Sequence, residues 1–478
     1  MSEPRYTPKF TPWRLRMRER QGVLIAGDFL VSLISLAVAI VIWGSTLRFI
    51  EFNFEFLQTR IPIWFYLLPL IWVLLLIEMY DVHNAADWGK TVRSVLVAGG
   101  IGLGLYLVLF FVYSDPTRTS LPRLGIATYL VVVILLTLVW RWIFIRTFTG
   151  PRFLRRVLLV GGGESGKILL RVLSQVKTRP FNLIGIVDDD PDKQGLTIED
   201  SPVLGDSEKL LELVASNEIS DLIVAITGKM KGNMFQALLD ANDIGVDITR
   251  MPVAYEDLLG RVPIRILESD WILRSFVDEA RVSNFYELAK RLIDILGGLI
   301  GTLVMLVFLP FIFLAVVIDD GLPVFYSQVR SGKRGEPYNI IKFRTMRRDA
   351  EANGLPQWAS EGDQRATRVG RILRRTHLDE LPQFLNVLRG DLSLVGPRAE
   401  RPELVHMFEG HVPFYRARLL VKPGISGWAQ INFGYASSIE DTMVKLEYDL
   451  YYIKHRNLWT DLVILLRTPA MMLGFRGR

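Results

Sequence analysis

The stretch Arg156-Val-Leu-Leu-Val-Gly-Gly-Gly-Glu-Ser-Gly166 reads as a buried strand, a tight turn and the start of a helix. Gly161, Gly163 and Gly166 fit G-x-G-x-x-G, in which the glycines allow a sharp turn and a close approach of backbone to phosphate. The next apolar run, Leu183–Val187, ends in Asp188-Asp189-Asp190, the distance at which a dinucleotide fold places an acid on the ribose hydroxyls. Further strand signals at Asp221–Ala225 and Val246–Thr249 alternate with helical stretches. This predicts a small parallel Rossmann-like α/β domain over about residues 151–270, with Gly161, Gly163, Gly166 and Asp188 as a candidate nucleotide loop. Glycine-rich βα turns also form where nothing binds, because the backbone must turn sharply. Both readings stand on the residues alone.

Toward the N-terminus lie four apolar runs, about Val23–Trp43, Ile63–Tyr80, Val92–Tyr113 and Leu124–Ile145. Each is near the ~20 residues needed to cross a bilayer core, which predicts a four-helix transmembrane bundle over residues 1–150. The first run is too long for a cleavable signal and lacks a small-residue cleavage site, so it is expected to be a retained anchor. Asp28 and Glu78 mark either a transport path or interhelical hydrogen bonds. Cations fall on two sides: Arg5, Lys9, Arg14, Arg16, Arg18 and Arg20 precede the first run, and Arg141, Arg146, Arg152, Arg155 and Arg156 accompany the end of the fourth. The intervening outside loops carry only Arg48, Arg60, Arg118 and Arg123. By the positive-inside rule both ends of the bundle face the cytoplasm.

The whole composition fits a membrane bundle joined to soluble domains. Over 478 residues, half are hydrophobic and 22% charged, with mean hydropathy +0.27. The absence of cysteine excludes disulfides, thiolate metal sites and cysteine nucleophiles. Five histidines (His83, His377, His406, His411 and His455) show no ligand spacing, which argues against zinc. The net charge of +6 suits anionic lipid or a phosphate-bearing substrate.

A fifth apolar run, Ile295–Ile318, is basic on both flanks: Arg281, Lys290 and Arg291 before it; Arg330, Lys333, Arg334, Lys342 and Arg344 after it. Pro310 lies inside, where it removes a backbone donor and bends a helix. A hairpin entering and leaving by one face, over about residues 292–318, satisfies both observations. A plain fifth span with a tolerated proline fits the pattern equally well.

The last third, about residues 280–478, carries compact groups of cations and acids. Gln328-Val-Arg330-Ser-Gly332 leads into Ile340-Ile-Lys342-Phe-Arg344-Thr-Met346, a predicted strand with alternate cations. Asp363-Gln-Arg365-Ala-Thr367 then leads to Arg374-Arg375. Leu378-Asp379-Glu380-Leu-Pro382-Gln383 follows, with Asn386 and Gly396-Pro397-Arg398 beyond it, and Lys422-Pro-Gly-Ile-Ser426-Gly-Trp428-Ala-Gln430 comes last. Fixed cations around two carboxylates suit phosphoryl chemistry: arginine spreads phosphate charge, one carboxylate attacks phosphorus, and another supports Mg²⁺. Pro382 is best tolerated in a first helical turn, so Asp379 is expected as an N-cap with a depressed pKa. Taken alone, an Asp-Glu pair is ordinary solvated surface; the clusters around it change that reading.

Lys342-Phe-Arg-Thr-Met346, Leu378-Asp-Glu-Leu-Pro-Gln383, Leu394-Val-Gly-Pro-Arg398 and Lys422-Pro-Gly-Ile-Ser-Gly-Trp-Ala-Gln430 together resemble the bacterial sugar transferases, polyprenyl-phosphate hexose-1-phosphate transferases of the monotopic phosphoglycosyl type. The likeness covers about residues 285–478, and the order of modules resembles the family's long form. It implies a multidomain membrane protein: a transmembrane bundle, a Rossmann-like domain, and an α/β-mixed catalytic domain with a re-entrant membrane helix kinked at Pro310. It further implies that Asp379 takes the sugar-linked phosphate of a UDP-sugar and releases UMP, and that undecaprenyl phosphate then accepts the phosphosugar. Such a reaction initiates exopolysaccharide or O-antigen synthesis. In this reading Glu380 supports Mg²⁺, and Arg374, Arg398, Lys342 and Arg344 bind phosphate. A homodimer in the bacterial inner membrane is the implied form, with membrane lipid as a partner and no nucleic acid. UDP-sugars are cytosolic, so the catalytic domain is expected on the cytoplasmic face and the fifth run as a hairpin. Ala399 departs from the common Gly-Pro-Arg-Pro and is expected to loosen that turn. Trp428, Gln430 and Glu440 are the candidates for choosing the sugar.

Two other classes compete. A membrane-anchored NAD-dependent nucleotide-sugar dehydratase or epimerase would use a Tyr-x-x-x-Lys pair, and Tyr286 and Lys290 have that spacing. They sit outside the Rossmann unit, which favours a structural role for them. A nucleotide-gated membrane sensor would not need Asp379 at all.

Overall fold

A computed structural model describes residues 15–46, 61, 63–112, 123–148, 150, 154–176, 181–267, 271, 275, 276, 282–347, 365–434 and 438–472. Arg5, Lys9, Arg14, Arg48, Arg60, Arg118, Arg152 and Arg281 of the charge pattern, and Asp363, lie outside them. The chain divides into two compact units, Met1–Ala254 and Tyr255–Arg478.

In the first unit, α1 (Met17–Thr46), α3 (Trp88–Val112) and α4 (Arg123–Phe148) are long and apolar enough to cross a bilayer. The second apolar run is not one helix. It forms a 3₁₀ turn at Ile63–Leu67, a short α2 (Leu68–Leu75), and a further 3₁₀ turn at Ile77–Tyr80. The break is served from α4: Arg141 Nη1 donates to Met79 O at 2.9 Å. The same guanidinium grips Asp28, with Nη2 2.5 Å from Oδ2, and both side chains are fully buried. Asp28 is therefore half of an internal ion pair, the interhelical reading of the two. Ser32 to Tyr129 (2.6 Å) and Trp72 to Thr137 (3.1 Å) add further polar ties between segments.

The α/β part of this unit is a six-stranded sheet in the order β3-β4-β2-β1-β5-β6. The strands are β1 (Arg156–Val160), β2 (Asn182–Val187), β3 (Thr197–Ile198), β4 (Ser201–Gly205), β5 (Asp221–Val224) and β6 (Asp247–Arg250). All pairings are parallel except β3 with β4. The order reverses at β1, the switch point where open α/β sheets form a crevice beyond their strand ends. Leu158, Val160, Val187 and Leu222 pack against Met234, Leu238 and Ala241 to form the core. At the opposite, N-terminal end of the strands, Arg155 Nη1 pairs with Asp221 and lies 2.9 Å from Asp247, which Arg16 also engages. Arginines from just before α1 and just after α4 thus hold one edge of the sheet, and the glycine turn lies at the other.

The second unit is built on α5 (Asn284–Asp320), a single helix of 37 residues that runs through Pro310. At 1.5 Å per residue it is about 55 Å long. The fifth apolar run thus lies in one helix, with Pro310 inside it. Its first turns are held by the domain: Lys290 Nζ lies 2.9 Å from Asp461 and 3.0 Å from Val395 O, and Asp294 accepts from Ser393 Oγ and Leu394 N, both at 2.9 Å. Its last turn is held by the same domain: Val369 N donates to Asp319 at 2.8 Å, and Arg344 Nη2 donates to Asp320 O at 2.9 Å. Between these ends a Cβ on Gly301 would stand 2.3 Å from Phe384, so only glycine admits that ring against the helix. The outward side, including Leu296, Leu303, Phe311 and Ile318, is exposed and apolar throughout.

Around α5 stand the antiparallel pair β7 (Phe325–Ser331) and β8 (Pro337–Phe343), then α6 (Arg368–Arg375) and α7 (Gln383–Arg389). Next come the parallel pair β9 (Ser393–Val395) and β10 (Gly424–Ser426), and α8 (Ile439–His455), which starts with a Ser438–Asp441 capping box. The core joins Val387, Leu392, Val395, Phe408, Tyr415, Leu446 and Leu450.

Candidate active site

Between α6 and α7 the chain reverses within a few residues. His377 makes this possible by taking the left-handed region, with φ 55. Leu378–Glu380 then forms one 3₁₀ turn, and Pro382 is the N-cap residue of α7. Asp379 is therefore not a helix N-cap, contrary to the expectation from Pro382. Both carboxylates are buried, Asp379 7% and Glu380 9% exposed.

Two cations converge on Glu380 Oε1: Lys342 Nζ at 2.8 Å and Arg398 Nη2 at 3.0 Å. Lys342 comes from β8, which Asn386 pins in place. That fully buried side chain donates to Asn339 O at 2.8 Å and accepts from Ile341 N at 3.1 Å. Burial works against the Glu380 carboxylate, but Lys342 and Arg398 together outweigh it and hold the group well below the usual carboxylate range. Asp379 behaves oppositely: burial raises its pKa, and Lys342 offsets this only in part. The expected depression belongs to Glu380, because Glu380 takes the hydrogen bonds of both cations. Asp379 accepts no hydrogen bond from a side chain among the described residues.

Arg344 makes no hydrogen bond or ion pair with Asp379 or Glu380. β8 ends at Phe343, so the strand alternation that would have aligned Arg344 with Lys342 stops one residue short. Its guanidinium instead ties off the C-terminus of α5, 3.2 Å from the Asp320 carboxylate. Arg374 lies in the last turn of α6, just before the carboxylate turn, and its side chain forms no hydrogen bond or ion pair among the described residues.

The two glycine motifs of the last third meet. Gly424 N donates to Pro397 O at 2.9 Å and Gly396 N to Ser426 O at 2.9 Å. A Cβ on Gly424 would stand 2.1 Å from Gly396 N, so the motif's glycine is a packing requirement. Trp428 and Glu440, two of the candidates for choosing the sugar, stand in different surroundings. Trp428 donates to Gly260 O at 2.7 Å and stacks on Tyr451, while Glu440 is exposed in the first turn of α8. Gln430 braces its own turn by donating to Ile425 O at 3.0 Å. Tyr286 and Lys290 both bond Asp461, at 3.0 and 2.9 Å, and so fasten α5. The turn at Ala399 is fixed without proline: Arg418 donates to Arg398 O at 2.9 Å and Arg330 to Ala399 O at 3.1 Å. The buried charges Arg418, Glu400 and Asp449 behind this turn carry no sequence signal, because their partners are distant in the chain.

For a divalent ion, the described residues hold no group of three or more acids and histidines. Mg²⁺ characteristically binds through one or two carboxylates plus substrate phosphates. The Asp379–Glu380 pair fits an ion arriving with a diphosphate rather than a preformed cage. In the α/β domain, Gly161, Gly163, Gly166 and Asp188 do come together. Asp188 braces the turn itself, accepting from Gly162 N at 2.7 Å and Lys193 Nζ at 3.0 Å.

The family model for bacterial sugar transferases matches residues 285–474, and that for a CoA-binding domain matches residues 75–252. A UDP-N-acetylgalactosamine-undecaprenyl-phosphate N-acetylgalactosaminephosphotransferase of Aeromonas hydrophila is 41% identical, over 47% of this chain and 52% of that protein. A UDP-glucose:undecaprenyl-phosphate glucose-1-phosphate transferase of Caulobacter vibrioides is 39% identical, over 39% of this chain and 70% of that protein. One of the same description from Escherichia coli is 30% identical, over 66% of this chain and 67% of that protein. The chain thus matches only about half the length of the Aeromonas protein, but more than two thirds of the Caulobacter one, and the family model covers residues 285–474. The chain belongs to the bacterial sugar transferase family.

Proposed function

We propose that the chain transfers a sugar-1-phosphate from a UDP-sugar to undecaprenyl phosphate, initiating exopolysaccharide or O-antigen synthesis. The observation that carries this reading is the division of labour at the buried pair. Glu380 absorbs Lys342 and Arg398, while Asp379 is left without a hydrogen-bonded partner among the described residues. A poorly solvated carboxylate is the more basic and more nucleophilic one. The names of the matched relatives support the substrates.

In the first step an Asp379 oxygen attacks the sugar-bearing phosphorus. The bond from that phosphorus to the bridging oxygen breaks, UMP leaves with the electron pair, and a phosphosugar remains on Asp379. A phosphate oxygen of undecaprenyl phosphate then attacks the same phosphorus and frees Asp379. Lys342, Arg398 and the uncommitted Arg374 offer charge to the phosphate oxygens. Glu380 would help hold Mg²⁺, which when bound would supply neutralisation of the diphosphate and its leaving group.

The domain faces the cytoplasm, and α5 is re-entrant. Support comes from its attachment at both ends to one domain, since a spanning helix would put those ends on opposite sides. The chain acts as a homodimer in the inner membrane. The test is radiolabel transfer from a panel of UDP-sugars to lipid in membranes. Asp379→Asn should abolish transfer in a chain that keeps its melting temperature; full activity in that variant would refute the nucleophile.

A further inference from the structure

Arg398 approaches Glu380 from a loop whose regular pairing is limited to a bridge with Gly424. Three successive carbonyls of that loop are nevertheless held from outside it, one by Arg418 and two by the end of β7. Arg418 Nη2 donates to Arg398 O at 2.9 Å, Arg330 Nη1 to Ala399 O at 3.1 Å, and Ser331 N to Glu400 O at 2.9 Å.

Arg418 is the fixed point of this clamp. It is 4% exposed, and its own position is determined on two sides. Nη1 donates to Tyr415 Oη at 2.6 Å, and Nη2 lies 2.9 Å from Asp449 Oδ2 on α8. Glu400 Oε1 stands 3.7 Å from Nη1 and accepts from Lys445 Nζ at 2.8 Å. Burying such charges costs several kcal/mol per ion before pairing. A loop needing only closure could bond to water or backbone. Paired charges on a rigid helix do more, because they set the direction in which the loop presents its side chain.

We propose that Arg418 is a positioning residue: it fixes the main chain of residues 398–400 and so keeps the Arg398 guanidinium on Glu380, beside Asp379. Arg418 touches no substrate, and everything it does for transfer passes through Arg398. Asp449 and Tyr415 serve by aiming Arg418. The proposal rests on the transferase reading above.

The test is a double-mutant cycle on the full chain in detergent, with UDP-sugar turnover and melting temperature read on each variant. Arg418→Lys keeps the charge and loses the fork. It should lower kcat at least about tenfold, with KM for the UDP-sugar changed less. Arg398→Ala should lose at least as much, and Arg418→Lys in the Arg398→Ala background should lose nothing further. Should Arg418→Lys fail to fold, Tyr415→Phe replaces it, with a smaller loss that likewise vanishes in the Arg398→Ala background. Multiplicative losses in the double variant, or wild-type kcat in Arg418→Lys, would overturn the proposal. A wild-type chain inactive with every UDP-sugar would overturn the transferase reading and this proposal with it. The two failures are distinct, since multiplicative losses can appear only in an active chain.

Discussion

Lys342→Met is the substitution that most directly tests how the carboxylate pair is held. It keeps an unbranched side chain one atom shorter and removes its charge, leaving Glu380 with Arg398 alone. At 2.8 Å, and with an effective dielectric of about 20, the lost attraction is about 6 kcal/mol. Relief of the lysine's own burial returns part of this, since its side chain is 20% exposed. Breaking one partner of a buried pair typically costs about 3–5 kcal/mol, and the retained Arg398 contact places this case near about 3 kcal/mol. In a domain of this size that corresponds to a melting-temperature loss of roughly 6–12 °C. Pairing the change with Glu380→Gln removes the stranded charge and should restore most of the loss. The assay is differential scanning fluorimetry of four chains (wild type, each single variant and the double) in one detergent. A Lys342→Met chain melting within about 2 °C of wild type, or a double variant worse than both singles, would show that the pair is not held as described.

Three further outcomes follow from other parts of the molecule. Glu447 on α8 is buried, and burial pushes its carboxyl up to about 7 against the opposing pull of Arg261 and Arg265. From its ordinary value of 4.5 up to that pH, the folded chain keeps a proton the unfolded chain has lost. Stability therefore falls as pH rises through the window, by about 1.4 kcal/mol per unit at most; Glu447→Gln should flatten the melting-temperature profile there, and an unchanged slope would count against this. Gly424→Ala drives a Cβ to 2.1 Å from backbone and should lower the melting temperature by several degrees. Gly163→Ala, with nothing within 4 Å, should leave it unmoved, and the reverse ranking would contradict the packing described. Arg141→Leu strands a fully buried Asp28 and should destabilise the bundle by about 3–5 kcal/mol. Adding Asp28→Leu should recover most of that in a detergent melting assay.

Much of this molecule was legible residue by residue. The glycine turn after Val160 and the acid after Val187 announced a parallel α/β domain, because both are local demands of a βα turn. Lys342, Arg398 and Glu380 stood out as charges in compact, regularly spaced groups. The failures have a common cause. Hydropathy sums over a window and could not see that the run at 63–80 breaks at Leu76, or that Arg141 on a distant helix takes the main-chain carbonyl of Met79 beyond the break. Strand alternation misplaced Arg344 by a single residue at the end of β8. Pro382 was compatible with the first turn of a helix, but the left-handed turn at His377 moved that start beyond Asp379. Arg418 lies in an unremarkable Tyr-Arg-Ala-Arg-Leu run, and its meaning comes entirely from Asp449 and Glu400, which only the fold brings near it.

The attachment of α5 at both ends bears on how this protein can be handled in the laboratory. Cutting out α5 to obtain a water-soluble catalytic fragment would take away the acceptors of Val369 N, Ser393 Oγ and Arg344. It would also strip the surface on which Phe384 rests. Such a truncation should give aggregates rather than an enzyme. A soluble form is better sought by keeping the helix whole and recolouring only its outward side, with Leu296, Leu303, Phe311 and Ile318 replaced by glutamate or lysine. Every bond on the inner side then remains in place.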